Sequence, residues 1–121
     1  MSFDFPKREK LKSKKLIEQL FSEGSSMKKY PIKVIYLPKK TLPTTQAAFA
    51  VPKRNFKSAV DRNRIKRQLR EAYRLQKQPL LHNNGSNFAL LFLYLSKEKP
   101  QYERLERSMQ LLLTQLADEI S

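Results

Sequence analysis

Cysteine is absent from the 121-residue chain, and histidine occurs once, at His82. The first absence removes disulfide frameworks, thiolate zinc sites and cysteine nucleophiles; the second leaves too few imidazoles for a histidine-rich metal site. The redox compartment is therefore not written in the sequence. Long hydrophobic runs are missing as well: the longest, Phe88 to Leu95, falls far short of the roughly 20 apolar residues of a membrane-spanning helix. Lys7, Arg8, Glu9 and Lys10 stand where a secretory signal would carry its apolar core. The expectation is a soluble, cytoplasmic protein with no membrane partner.

Negative charge is also scarce, with 11 Asp and Glu against 25 Lys and Arg, a formal net charge of +14. Such an excess repels itself in a compact state, and its natural counterweight is a polyanion such as nucleic acid. Hydrophobic residues make up 40% of the chain, too many for a disordered tail, and the length suits one core. A single domain over residues 1–121 is expected, with residues 1–10 as a flexible basic N-terminus.

Leu16, Ile17, Leu20 and Phe21 fall on one face of a helix that Ser13 can cap and Gly24 can end in a left-handed conformation. Pro31 to Leu37 alternates as a strand, Pro38 to Thr45 is a turn, and Gln46 to Val51 returns, which predicts a hairpin; a further short strand is possible near Ser26. Ser58 followed by Asp61 marks a helix start, with the helix running to about Gln76. His82, Asn83, Asn84 and Gly85 form a loop, and His82 is most simply a loop residue. Ser86 to Leu95 reads as a central strand, and Leu105, Met109, Leu112, Leu116 and Ile120 as the core stripe of a last helix after Pro100. The order is α, β, β, α, β, α, with the extra strand optional.

Charge concentrates in the second helix. At 100° per residue, Ile65, Leu69, Ala72 and Tyr73 form a narrow apolar stripe; Arg62, Lys66 and Arg70 line one flank, Asn63, Arg67 and Arg74 point outward, and Arg64 lies toward the opposite side. So many like charges on one helix favour an external anion, and the planar donor fork of Arg suits phosphate. Single-stranded RNA would also need flat side chains beside the cations, for which Phe21, Tyr30, Tyr36, Phe56 and Tyr73 are the candidates.

The stretch Phe56-Lys57-Ser58-Ala59-Val60-Asp61-Arg62-Asn63-Arg64-Ile65-Lys66-Arg67-Gln68-Leu69-Arg70 closely resembles the signature of the bacterial ribonuclease P protein family. Size, element order, basic balance and the Lys53-Arg54 pair fit as well. The resemblance implies an α+β fold: a single-domain two-layer sandwich of order α-β-β-(β)-α-β-α, with a four-stranded mixed sheet and a left-handed βαβ crossover, similar to a domain of a small-subunit ribosomal protein. It also implies the protein subunit of an endoribonuclease that removes 5′ leaders from precursor tRNA. The catalytic RNA subunit would bind Mg²⁺ and hydrolyse the phosphodiester, with no catalytic residue in the protein. Its partners would be that RNA and precursor tRNA, with no obligate protein partner. Carried over by position, Arg62, Asn63 and Arg64 meet RNA, and Lys66, Arg67, Arg70, Arg74, Lys53 and Arg54 extend that surface. Phe21, Ile17 and, with a one-residue gap, Tyr36 line a leader cleft between the central helix and the sheet.

Other readings are weaker. A protein nuclease would need clustered carboxylates or a paired His, and here the acids are scattered. An architectural DNA binder lacks a dimerisation element, and a membrane-surface helix lacks Trp and a broad apolar face. A basic RNA-binding module without a processing role, such as a ribosomal protein or an RNA chaperone, stays open on the residues alone.

Overall fold

The computed structural model describes residues 5–78 and 87–120. The His82 loop lies outside the described residues. After a short 3-10 turn, Lys7–Glu9, come α1 (Lys14–Glu23), β1 (Ser25–Lys29), β2 (Ile32–Pro38), β3 (Gln46–Ala50), α2 (Ala59–Gln76), β4 (Phe88–Tyr94) and α3 (Tyr102–Ile120). The optional strand near Ser26 is thus present as β1.

Helix starts follow their capping residues. Ser13 Oγ accepts from the Leu16 amide at 3.2 Å, and Ser58 Oγ from the Asp61 amide at 3.4 Å. Gly24 ends α1, but not in the expected left-handed conformation: its φ is −73°. Glycine is needed here for close approach, since a Cβ would stand 2.5 Å from the Leu20 carbonyl oxygen and 2.9 Å from Ile35 Cγ2.

The expected hairpin of β2 with β3 does not form. The sheet order is β1-β2-β4-β3, in which β1 and β4 flank β2 antiparallel and β3 runs parallel to β4. The reason lies in β4, whose apolar run is buried along almost its whole length and so takes an interior slot with a strand on each side. The turn after β2 carries the chain around the start of β4 and is tied there. Lys39 N donates to Asn87 O at 2.8 Å, Asn87 Nδ2 to Leu42 O at 2.7 Å, and Phe88 N to buried Thr45 Oγ1 at 3.1 Å. The real hairpin is β1–β2, closed at Tyr30-Pro31, a cis peptide bond. Helix α2 then connects the parallel neighbours β3 and β4 as a βαβ unit.

Alternation gives the sheet two faces. One packs Ile32, Val34, Leu90, Phe92 and Tyr94 under α2 and α3, through Ile65, Leu69, Ala72 and Tyr73 and through Leu105, Met109, Leu112 and Leu116. Phe92 stacks on Phe49 at 5.5 Å between centroids and meets Tyr73 at 5.4 Å. The other face packs Ile35, Ala89 and Leu91 against Leu11 and against Leu16 and Leu20 of α1. The two-layer sandwich therefore gains a partial third layer, because Ile35 and Leu91 on the second face also need cover. The fold class, α+β with a four-stranded mixed sheet, stands.

The expectation of a flexible N-terminus is corrected for residues 5–10. Leu11 N donates to Ala47 O at 3.0 Å beside a one-residue parallel bridge of Lys10 with Ala47, and Gln46 Nε2 donates to Arg8 O at 3.1 Å. Glu9 is buried and pairs with buried Lys77, Nζ to Oε1 2.6 Å, while Phe5 packs edge-on against Phe49 and Tyr73. The segment covers the free edge of β3, the kind of edge that invites aggregation when left bare.

Candidate nucleic-acid interface

Helix α2 lies over the β3 side of the sheet with α3 beside it, so each position on its wheel acquires a definite neighbour. Ile65, Leu69, Ala72 and Tyr73 are sealed against the sheet. The cleft expected between this helix and the sheet is therefore closed by core packing. Arg64 and Gln68 face the start of α3, whereas Arg62, Lys66 and Arg70 fall on the opposite flank, by the β3 edge, and are partly exposed. Asn63, Arg64 and Arg67 are exposed, as are Lys53 and Arg54 in the turn between β3 and α2.

The basic residues are not equivalent. Arg62 Nη1 donates to the backbone oxygens of Phe56 at 2.7 Å and Lys57 at 2.9 Å, which ties the approach loop to the first turn of α2. Arg74 holds both carboxylate oxygens of Glu71, three residues back, and donation from Arg74 keeps the Glu71 carboxyl below its ordinary range. Arg74 thus contributes little net charge to an external anion. Lys99 Nζ lies 3.7 Å from Asp61 Oδ1. Arg64, Lys66, Arg67 and Arg70 have no hydrogen-bond or ion-pair partner among the described residues, and with Lys53 and Arg54 they form the cationic face of the helix.

The three residues expected in a leader cleft are not brought together. Ile17 and Phe21 belong to α1 on one face of the sheet, and Ile17 packs against the cluster of Leu11, Leu16, Leu20, Ile35, Ala89 and Leu91. Tyr36, one residue from Ile35, necessarily points to the opposite face, where its ring meets Phe88 at 6.4 Å and its hydroxyl donates to Glu119 Oε2 of α3 at 2.6 Å. That bond raises the Tyr36 hydroxyl above its ordinary value. The open surface lies beside α1 instead: α1 packs mainly on β2 and β4, so Ala48, Ala50 and Leu93 remain a partly exposed apolar strip leading to the β3 edge. Phe21 is 61% exposed at the end of α1, and of the five candidate aromatics only it and Tyr30, at 52%, offer an open ring, since Phe56 and Tyr73 are core.

Sequence reasoning missed the basic segment next to β3. Its cations were visible in the sequence, but its docking depends on the pairing of Glu9 with Lys77 across 68 positions, for which no local signal exists. Among the described residues no three His, Asp or Glu side chains gather as a metal-binding group, and no helix is long and apolar enough to cross a membrane.

Comparison with known proteins gives one consistent result. Residues 5–117 match the family model described as Ribonuclease P. The ribonuclease P protein component of Porphyromonas gingivalis W83 is 33% identical over 124 residues, covering 98% of this chain and 90% of the relative. That of Chlorobium phaeobacteroides is 35% identical over 122 residues, covering 88% and 84%. In fold, the chain is similar to the RNase P protein of Thermotoga maritima, with TM-score 0.73 and 20% identity over 88% of this chain and 96% of that one. The Staphylococcus aureus RNase P protein gives TM-score 0.69 and 18% identity, with 93% and 98% covered.

Proposed function

The chain belongs to the ribonuclease P protein component family, and on that premise we propose how its surface serves the enzyme: the cationic face of α2 binds the catalytic RNA, and the open strip beside α1 receives the single-stranded leader of precursor tRNA. As the protein component of an endoribonuclease, it associates with the RNA subunit. The observation that carries the proposal is the set of α2 cations, Arg64, Lys66, Arg67 and Arg70, that have no hydrogen-bond or ion-pair partner among the described residues. Helix stability supplied by the buried stripe frees these side chains for phosphate. The strip of Ala48, Ala50 and Leu93 offers an apolar floor for unstacked bases, Lys53 and Arg54 follow Ala50 in the chain with their cations, and Phe21 presents an open ring on α1.

Mg²⁺ is the ion expected to assist phosphodiester hydrolysis. The protein's own donors do not fit it, since among the described residues no acidic or histidine cluster exists to hold a divalent cation. In this reading the protein binds and orients RNA, and the RNA performs the chemistry. By neutralising phosphates that would otherwise repel one another, the protein lowers the Mg²⁺ concentration at which the RNA subunit binds its substrate. The test is cleavage of precursor tRNA by the cognate RNA subunit at low Mg²⁺ with and without the protein. Stimulation is expected, together with tighter binding of precursor than of mature tRNA. Absence of both returns the chain to a basic RNA-binding module.

A further inference from the structure

Tyr30 is the exposed aromatic that the surface described above does not use. It sits at the β1–β2 turn, five residues from Ser25 and so roughly 17 Å along the strand from the end of α1 where Phe21 lies. Around it is a cavity of about 490 Å³ between that turn, the loop after β4 and the start of α3. Lys97, Lys99 and Arg104 line the cavity against a single acidic lining residue, Glu98, and all three cations are exposed. The Arg104 guanidinium carbon is 5.8 Å from the Tyr30 ring centroid.

The walls are fixed. Leu95 N donates to Pro31 O at 2.8 Å, Tyr94 Oη to Glu98 O at 2.6 Å, Glu98 N to Ser96 Oγ at 3.0 Å, and Ser108 Oγ to Tyr30 O at 3.0 Å. Lys99 and Pro100 also line a second cavity with Arg64, Gln68 and Asp61, whose carboxylate is 3.7 Å from Lys99 Nζ, and Arg64 and Gln68 line a third with Arg67, Glu71 and Tyr102. The depressions therefore lie next to one another, a candidate groove from Tyr30 past the loop to the flank of α2 that faces α3.

We propose that this groove holds a second single-stranded stretch of RNA. A base lies on the exposed part of the Tyr30 ring, and the following phosphates meet Arg104, Lys97 and Lys99 before the strand reaches Arg64. The chemistry is that of sequence-tolerant single-strand recognition, a flat ring flanked by a line of cations. RNA as the occupant rests on the function proposed above. The strand is an unpaired segment of the catalytic RNA, since the function proposed above gives the leader the strip beside α1 on the other face of the sheet.

The test titrates the protein with a labelled oligouridylate of about eight nucleotides, the length range one stacking groove covers. Replacing both Lys97→Gln and Arg104→Gln, at exposed positions that leave folding intact, should flatten the salt slope by about 0.7 per lost phosphate contact. Tyr30→Leu keeps the backbone bond from Ser108 and should weaken binding about five- to a hundredfold, the range of one base stack, without changing the slope. In the holoenzyme, weaker binding of both variants to the catalytic RNA is expected, and a loss seen only with long-leader precursor would overturn that source of the strand. Unchanged affinity and slope for both variants overturn the groove. If Arg64→Ala with Arg67→Ala still weakens catalytic-RNA binding, the proposed function survives that result; if this variant is silent too, both fall.

Discussion

Arg62 and Arg64 stand two residues apart in one motif, yet removing them should have opposite consequences. The Arg62 guanidinium is committed to the carbonyls of Phe56 and Lys57, whereas Arg64 has no such partner among the described residues. Hydrogen bonds from a charged group contribute about 1.5–3 kcal/mol each when sheltered. Both bonds use one nitrogen of a partly exposed side chain, so about 1–2 kcal/mol for the pair is the reasonable scale. With an unfolding entropy of about 2.1 cal/mol/K per residue, that loss lowers Tm by about 4–8 °C for a domain of this size. The loop it anchors carries buried Phe56 and the exposed Lys53-Arg54 pair, so slackening it also disperses cations from the interface.

Thermal unfolding combined with salt-dependent RNA binding separates the roles. Arg62→Ala should lower Tm by that amount, and Arg62→Lys should keep the charge but recover only part of the loss, since an ammonium does not reproduce the planar fork. Arg64→Ala should move Tm by less than about 2 °C, as expected of an unpartnered surface residue, while lowering the salt slope by about 0.7–0.9. Equal Tm values for the Arg62→Ala and wild-type proteins would refute the tether. A Tm loss for Arg64→Ala matching that of Arg62→Ala would refute the division of the motif.

Three further outcomes follow from the core. Lys77→Met leaves Glu9 buried without its cation and should cost about 3–5 kcal/mol, whereas Lys77→Met with Glu9→Leu should recover most of it, both read from urea midpoints. Gly24→Ala forces a methyl into the Leu20 carbonyl and Ile35 and should destabilise by about 1–3 kcal/mol despite an ordinary φ; an unchanged midpoint would mean that the approach of α1 to β2 is not tight. Burial, followed by the charge of Glu9, pushes the Tyr73 hydroxyl above its unfolded value near 10, so its contribution is intact below about pH 10 and is lost as pH rises from there toward the folded value. Tyr73→Phe should therefore reduce the alkaline loss of stability, and at pH 7 it should cost nothing, because that hydroxyl has no hydrogen-bond partner among the described residues. A clear destabilisation at pH 7 would show that the hydroxyl has a partner.

What could be read from the sequence was local. The bounds of α2 follow from Ser58, Asp61 and the apolar stripe, and β4 declares its central place by its unbroken apolar run. The strand pairing could not be read in the same way. Two alternating segments joined by a seven-residue turn look like a hairpin, and the partner that separates them, β4, arrives some 40 residues later with a greater need for burial. Gly24 was visible as a helix end but its reason was not, since the close approach involves Ile35 of another element. Sequence could say that Arg62 and Arg74 were cationic, but not that they were already occupied.

Parity decides the geometry of the RNA surface more strictly than residue type does. A one-residue gap is a small liberty in aligning a tyrosine to a motif, but in a strand it moves the side chain through the sheet. Tyr36 consequently serves α3, through Glu119, while Ile35 closes over α1 and Gly24. In the function and groove proposed above, aromatic contact with RNA falls to the exposed rings, Phe21 at the end of α1 and Tyr30 at the β1–β2 turn, the latter with Lys97, Lys99 and Arg104 around it. Helix α2 lies over the β3 side on the sheet face away from α1, with Lys66 and Arg70 on the flank toward the β3 edge and Arg64 beside Lys99 and Pro100, which also line the Tyr30 cavity. On those proposals the helix meets RNA on both flanks, which requires the charges along it to remain free of acidic partners. Glu71 takes up Arg74 through both carboxylate oxygens and also attracts Arg70, so the proposed surface weakens toward the end of the helix.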